Sequence, residues 1–113
     1  SSGTGNTAIG YQAMDTVTTG SNNTGLGYNA LGSATGSQNV GIGANAGTAL
    51  TSGSNNIVIG ANKQLLSTTG SDQLNIGDWI YGNGGNIGIG TSSLTSGAKL
   101  EVAGTVKITG GSP

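Results

Sequence analysis

The sequence predicts an all-β fold, a repetitive parallel β-solenoid of short coils. Three observations point there. A motif of the form G-S-x-N-x-x-I/L-G occurs at residues 20–27, 36–43 and 53–60, and returns in weaker form as GSDQLNIG at 70–77. Its spacing of 16 or 17 residues is too short for a helical repeat, and a helix rich in Gly and Asn would be penalised at nearly every position. Inside the motif, apolar and small residues alternate with period two, which is a strand signature.

The repeat is best anchored on the polar residue before the apolar pair: Asn6, Asn23, Asn39, Asn56, Gln73 and Asn86, at intervals of 17, 16, 17, 17 and 13. One place after the anchor stand Thr7, Thr24, Val40, Ile57, Leu74 and Ile87. Three places after it stand Ile9, Leu26, Ile42, Ile59, Ile76 and Ile89, and four places after it stand Gly10, Gly27, Gly43, Gly60, Gly77 and Gly90. A linker has no reason to keep such columns. A solenoid does, because each coil stacks its side chains on those of the next. At roughly 3.3 Å per residue, 16 or 17 residues suffice for a closed coil of two short strands and two turns. The TTGS, ATGS and TSGS segments supply one turn. Plus-one and plus-three share one face of the strand, which is expected to be the buried core. The plus-four glycines are expected to mark a column where another backbone passes too close for a side chain.

Composition limits the function. With 24 Gly, few aromatics and 6% charged residues, the 113-residue chain would read as disordered were it not for the repeat. A net charge of −1 gives no electrostatic reason to expect nucleic acid as a partner. The chain lacks Cys, so redox compartment is unreadable. No apolar run has the length of a membrane span, so no membrane insertion by this segment is expected. Ser1 already falls inside a repeat, and the chain is expected to be a piece of a longer protein. The apolar columns are thin for a chain this long. Identical solenoids packed along one axis would bury a second face without large side chains. A threefold arrangement closes on itself, so a homotrimer is expected, intertwined or side by side.

NTAIGYQAM, NTGLGYNAL and NVGIGANAG resemble the head repeats of YadA-like trimeric autotransporter adhesins, and equally the related repeats of phage tail fibres. The likeness covers about residues 3–90. It implies a left-handed parallel β-roll, three chains to a fibre. Residues 1–90 are accordingly expected to be the repeat domain of about six coils. Residues 91–113 leave the period and are expected to be a transition leading to a downstream domain. Segments 99–103 and 105–109 alternate around Gly104, which predicts a short C-terminal β-hairpin or two edge-like strands. NIGIGTSSLTSGAKLEVAGTVKI is similar to the segment before the intramolecular chaperone of endosialidase-type tailspikes, which implies a place near the C-terminal end of a fibre.

Candidate chemistry is sparse. GIGANAG at 41–47 is G-x-G-x-x-x-G without a helix signal after it, and the repeat explains it. Asp15, Asp72, Asp78 and Glu101 are scattered, and the chain has no His or Cys. No enzyme, cofactor or metal site is therefore expected. The sequon Asn22-Asn23-Thr24 reads as chance in an Asn-rich repeat. Tyr11 and Tyr28 both stand at plus five, with stacking between coils weighed above a sugar-stacking ladder. Trp79 and Tyr81 fall in the degenerate fifth coil, with a plug at the junction weighed above a ligand platform. Three functions compete. The first is an extracellular fibre segment of a phage tail or contractile injection machine that attaches to a cell-surface glycan or protein. The second is the head of a trimeric bacterial surface adhesin. An ice-binding solenoid ranks last, because the Thr residues cluster in turns instead of forming a T-x-T column.

Overall fold

The computed structural model describes residues 3–95 and 97–111. Eight strands form one sheet in chain order: β1 (Thr7–Ile9), β2 (Thr24–Leu26), β3 (Val40–Ile42), β4 (Ile57–Ile59), β5 (Gln73–Ile76), β6 (Ile80–Asn83), β7 (Asn86–Ile89) and β8 (Leu100–Val102). The chain is a parallel β-solenoid of about six turns, with no helix among the described residues. It is elongated, 57 × 25 × 21 Å. From β1 to β5 the strands are parallel, and the columns read from the sequence are the columns of the sheet. Thr7 pairs with Thr24, Thr24 with Val40, Val40 with Ile57 and Ile57 with Leu74, and the plus-three column follows in the same register.

Each coil has one strand, where two were expected. The reason lies in the backbone. The residue before each anchor, Asn22, Gln38, Asn55 and Asp72, has φ between 59° and 61°, and Gln12, Asn29, Asn45 and Asn62 at plus six have φ between 53° and 60°. Met14 and Leu31 at plus eight are also left-handed. Residues alternating between right- and left-handed φ cannot form an extended strand. The backbone groups still pair from coil to coil. Met14 N–H donates to Ala30 O, Leu31 N–H to Ala46 O and Gly47 N–H to Lys63 O, each at 2.9 Å. This satisfies the obligatory donors of the curved wall.

The structure reverses the expected faces. Anchor and plus-two residues point inward: Asn23, Asn39, Asn56 and Gln73 are buried, as are Gly25, Gly41, Val58 and Asn75. From the opposite wall come Met14, Leu31, Ala34 and Leu50, packed with Val17 and Leu65. The interior is narrow, and the two walls trade volume across it. A Cβ on Gly41 would lie 2.7 Å from Leu31 Cγ, and one on Gly25 would lie 2.8 Å from Met14 Cγ. Where the strand carries Val58, the facing position is Gly47. The space opposite a strand glycine is filled from the far wall, by Met14 or Leu31. The column expected to be core therefore stands on the outer surface of the sheet. Ile9 is 59% exposed, and Leu26 and Ile89 are each 42% exposed; Ile42, Ile59 and Ile76 are half-buried.

Two ladders of side chains tie the coils together. Asn6 Oδ1 accepts the backbone N–H of Asn23 at 2.9 Å, Asn23 Oδ1 that of Asn39 at 2.8 Å, Asn39 Oδ1 that of Asn56 at 3.0 Å and Asn56 Oδ1 that of Gln73 at 2.9 Å. The amide nitrogens of the same four asparagines donate to the carbonyls of Gly20, Gly36, Gly53 and Gly70, three places before the next anchor. A second ladder runs two places before the anchor, where the hydroxyls of Ser21, Ser37, Ser54 and Ser71 accept the backbone N–H of Thr4, Ser21, Ser37 and Ser54.

The regular stack ends at β5. Asn86 was expected to open a sixth stacked coil, but β6 lies between β5 and β7, antiparallel to both. The 13 residues between Gln73 and Asn86 are taken up by β6, and left-handed Gly77, Asp78, Gly84 and Gly85 permit the two chain reversals. The hairpin expected across 99–109 does not form. Leu100–Val102 pairs in parallel with β7, and residues 105–109 form no strand. A tight hairpin needs a two-residue loop, and Gly104 alone does not provide one. The open edge of β7 offers unpaired donors and acceptors instead.

Replacing Asn39 with Ala leaves the N–H of Asn56 and the carbonyl of Gly53 without their partner in a dry interior. At roughly 1–3 kcal/mol for each of the two orphaned groups, the expected loss is about 2–6 kcal/mol. The exposed Asn6→Ala should lose clearly less. Denaturant unfolding of the two variants checks this, and equal losses would contradict it.

Candidate functional site

Among the described residues no three His, Cys, Asp or Glu side chains converge as a metal site would require, and no cavity is present. Asp15 and Asp72 are exposed, and Glu101 accepts the backbone N–H of Thr95. What the fold does assemble lies on its surface, in three places.

The first is the outer face of the sheet. Strand alternation sends the plus-one and plus-three residues to the same side in β1 to β5, and β7 continues the face with Ile87 and Ile89. The result is two adjoining columns of Thr, Val, Ile and Leu running along the solenoid. At plus four, Gly10, Gly27, Gly43 and Gly60 have φ of 123° to 128°, while Gly77 and Gly90 have φ of 59° and 72°. The first three are closed by the next coil: a Cβ on Gly43 would lie 2.8 Å from the carbonyl carbon of Gly60. Around Gly60 the nearest atom is Lys63 Cγ, and around Gly77 it is the Trp79 ring.

The second place is the corner that follows. Tyr11 and Tyr28 at plus five stack on one another with ring centroids 5.8 Å apart and planes inclined by 14°. Both are exposed, and the column continues as Ala44 and Ala61. Beside it, at plus six, Asn29 Nδ2 donates to Asn45 Oδ1 at 3.3 Å and Asn45 Nδ2 to Asn62 Oδ1 at 3.0 Å. The coil thus presents aromatic faces at one end of this corner and carboxamides along its middle.

The third place is the turn between β5 and β6. Trp79 is 74% exposed, so in the single chain it does not fill the junction as a plug. Its indole lies over Gly77, where a Cβ would come within 3.5 Å of the ring. The backbone N–H of Trp79 donates to Ile76 O at 2.9 Å and its backbone carbonyl accepts Gly90 N–H at 2.8 Å, which fixes the backbone on both sides. Beside it, Asp78 forms an ion pair with Lys63 at 2.8 Å. Asn75 closes the arrangement: its Nδ2 donates to Asp78 Oδ1 at 2.8 Å and to Gln64 O at 2.7 Å, and its Oδ1 accepts Asp78 N–H at 2.9 Å. Tyr81, half-buried on β6 opposite Asn75, does not share the exposure of Trp79. Its phenol is held above the ordinary 10.0, first by partial desolvation and then by the charge of Asp78.

Lys63 and Asn75 were not singled out by sequence reasoning. Lys63 and Asp78 are 15 residues apart, close to one coil length, so the repeat itself carries the signal that brings them together. No protein-family model, curated protein or solved structure matches the chain.

The Lys63 hydrogen bond, followed by that of Asn75, lowers the Asp78 pKa below the ordinary 3.8. The sign follows from this depression. The pair adds stability above the ordinary carboxylate range and loses it as pH falls through the lower folded value. A carboxyl titration by NMR should place the Asp78 midpoint below 3.8, and Lys63→Ala should move it upward. A midpoint that does not respond to Lys63→Ala would contradict the pairing.

Proposed function

We propose that the chain is a segment of an extracellular homotrimeric fibre, of the phage tail or contractile-injection type, that attaches to a cell surface. One observation carries the assembly: the outer face of the sheet is a double column of Thr, Val, Ile and Leu, with Ile9, Leu26, Ile57 and Ile89 exposed and the other aliphatic side chains half-buried. Soluble monomers rarely expose a contiguous apolar patch of this kind, and a straight, flat, β-branched face suits a second copy of itself. Threefold closure buries the face of every chain and leaves none free to recruit a further subunit, which an open side-to-side arrangement would not achieve. The interior ladder then determines the shape of each chain, and association covers the face the interior cannot hold.

The attachment part of the reading rests on the elongated form, on the surface aromatic groups and on the departure from the repeat after β5, where a shaft changes into another architecture. The head of a trimeric surface adhesin is the second reading. The regular stack from β1 to β5 favours it as much as the first, and it requires the same interface. Light scattering coupled to size exclusion should give three chain masses for the intact protein. Ile59→Asp places three carboxylates in the shared face and should yield monomers that keep the β circular dichroism of the wild type, because the side chain lies outside the coil. A stably folded wild-type monomer would overturn the assembly.

A further inference from the structure

We propose that Trp79, with Asp78 and Lys63, forms a surface site for a neutral pyranose, a stacking platform with hydrogen-bonding groups at its rim. The inference rests on the attachment reading and names the chemistry of what is attached. Four observations carry it.

The indole is exposed on one face and held on the other. The ring packs over Gly77, where even a Cβ would meet it at ordinary van der Waals distance, and the hydrogen bonds of the Trp79 backbone N–H and carbonyl fix the main chain that carries it. A rigid, exposed aromatic loses little conformational entropy when a ligand covers it. It also lies off the outer apolar face, in the turn after β5, so covering that face by other chains does not require covering Trp79.

The adjoining polar groups are oriented and have bonding capacity to spare. A carboxylate offers about four lone-pair positions and an ammonium three protons. In Asp78, Oδ2 takes the Lys63 ammonium and Oδ1 takes the Asn75 amide, and the Tyr81 phenol stands near enough to be a third donor, which still leaves a lone-pair position open. Lys63 uses one of its protons on Asp78. Acceptors and donors therefore remain for a ligand, already aimed by Asn75 and by each other.

The charges of the site cancel, which disfavours selection of either an anion or a cation. The rim is polar, unlike the surroundings expected for a buried hot spot between proteins. The ligand these features fit has a flat C–H face to lie on indole and hydroxyls around its edge to meet a carboxylate and an ammonium. A pyranose has that form.

The sequence holds one Trp, so indole fluorescence of the intact protein reports this site alone. The probes are the methyl glycosides of glucose, galactose and N-acetylglucosamine and their linear tetramers, with sialyllactose as an anionic comparison and a mixed peptide library as a protein-like one. At least one neutral glycan should shift or quench the emission saturably, ahead of sialyllactose. Calorimetry with that glycan should show Trp79→Ala weakening binding about tenfold or more, the loss of an aromatic stacking partner. Asp78→Asn should weaken it to a similar extent, about tenfold, by removing a charged acceptor. Trp79→Phe keeps a ring and should retain part of the affinity. No saturable response to any neutral glycan, a response stronger to peptide, or unchanged affinity in Trp79→Ala overturns the site. Trimer mass and cell attachment, measured on the same preparations, separate the two readings. A trimer that attaches equally well with Trp79→Ala sinks the pyranose site and leaves the fibre standing. A wild-type chain that is monomeric and does not attach sinks the fibre reading, while the fluorescence titration still decides the site.

Discussion

Each buried asparagine of the anchor column is bound at both ends of its amide, with Oδ1 on the backbone of the next anchor and Nδ2 on the carbonyl of the next turn. In a dry interior an amide lacking either partner is costly, so the coil cannot change length at the strand without breaking a bond. Within the parallel stack the one short interval, 16 residues between Asn23 and Asn39, is absorbed between Gly27 and Gly36, in the curved wall. The strand and its ladder are untouched. A slip of one residue would turn the anchor and plus-two side chains outward and the plus-one and plus-three side chains inward. The ladder forbids it. At the fifth coil Gln73 takes the anchor place, and its longer side chain reaches Ser67 and Gly70 as well as Asn56. It is the last anchor of the parallel stack.

Once the amide is inside, the rest of the section follows. Plus two must share its face, and the space left there is filled either from the strand, as by Val58, or from the far wall, as by Met14 and Leu31. Plus one and plus three must face away. The curved wall is made by left-handed residues before the anchor, at plus six and at plus eight, which explains the abundance of Asn and Gly: these are the residues that reach that conformation at least cost. Met14 and Leu31 adopt it without that advantage, where inward packing against Gly25 and Gly41 compensates. A chain that looks like linker by composition is ordered because its polar side chains replace the large core it lacks.

The columns were legible in the sequence because stacking enforces them residue by residue, and the strand pairings from β1 to β5 match them. Which face was buried was not legible. Alternation separates two faces without saying which is inside, and the general rule that Ile and Leu are buried while Asn is exposed pointed the wrong way for Ile9, Leu26 and Ile89. The constancy of Asn at the anchor was the better signal, because an exposed Asn has no reason to recur in step with a Gly three places before the next one. The reversals that make β6 were marked only by the short interval and by Gly84-Gly85. The pairing of β8 with β7 depends on an edge left open by those reversals, which no local pattern announces. Of the surface groups, the Tyr11–Tyr28 stack follows from period alone. The site around Trp79 needed the fold to bring Lys63 to Asp78 and to lay the indole over Gly77.

The claim that buried asparagine amides hold the coils together is tested most directly by native-state hydrogen exchange, residue by residue. The backbone N–H groups of Asn39, Asn56 and Gln73 end on buried carboxamide oxygens. Those of Ser21 and Ser37 end on hydroxyls nearer the surface. If the anchor ladder holds the register, its amides exchange last and only through global opening, while the serine amides exchange earlier through local opening. Anchor amides that exchange together with the serine amides, or before them, would contradict the account.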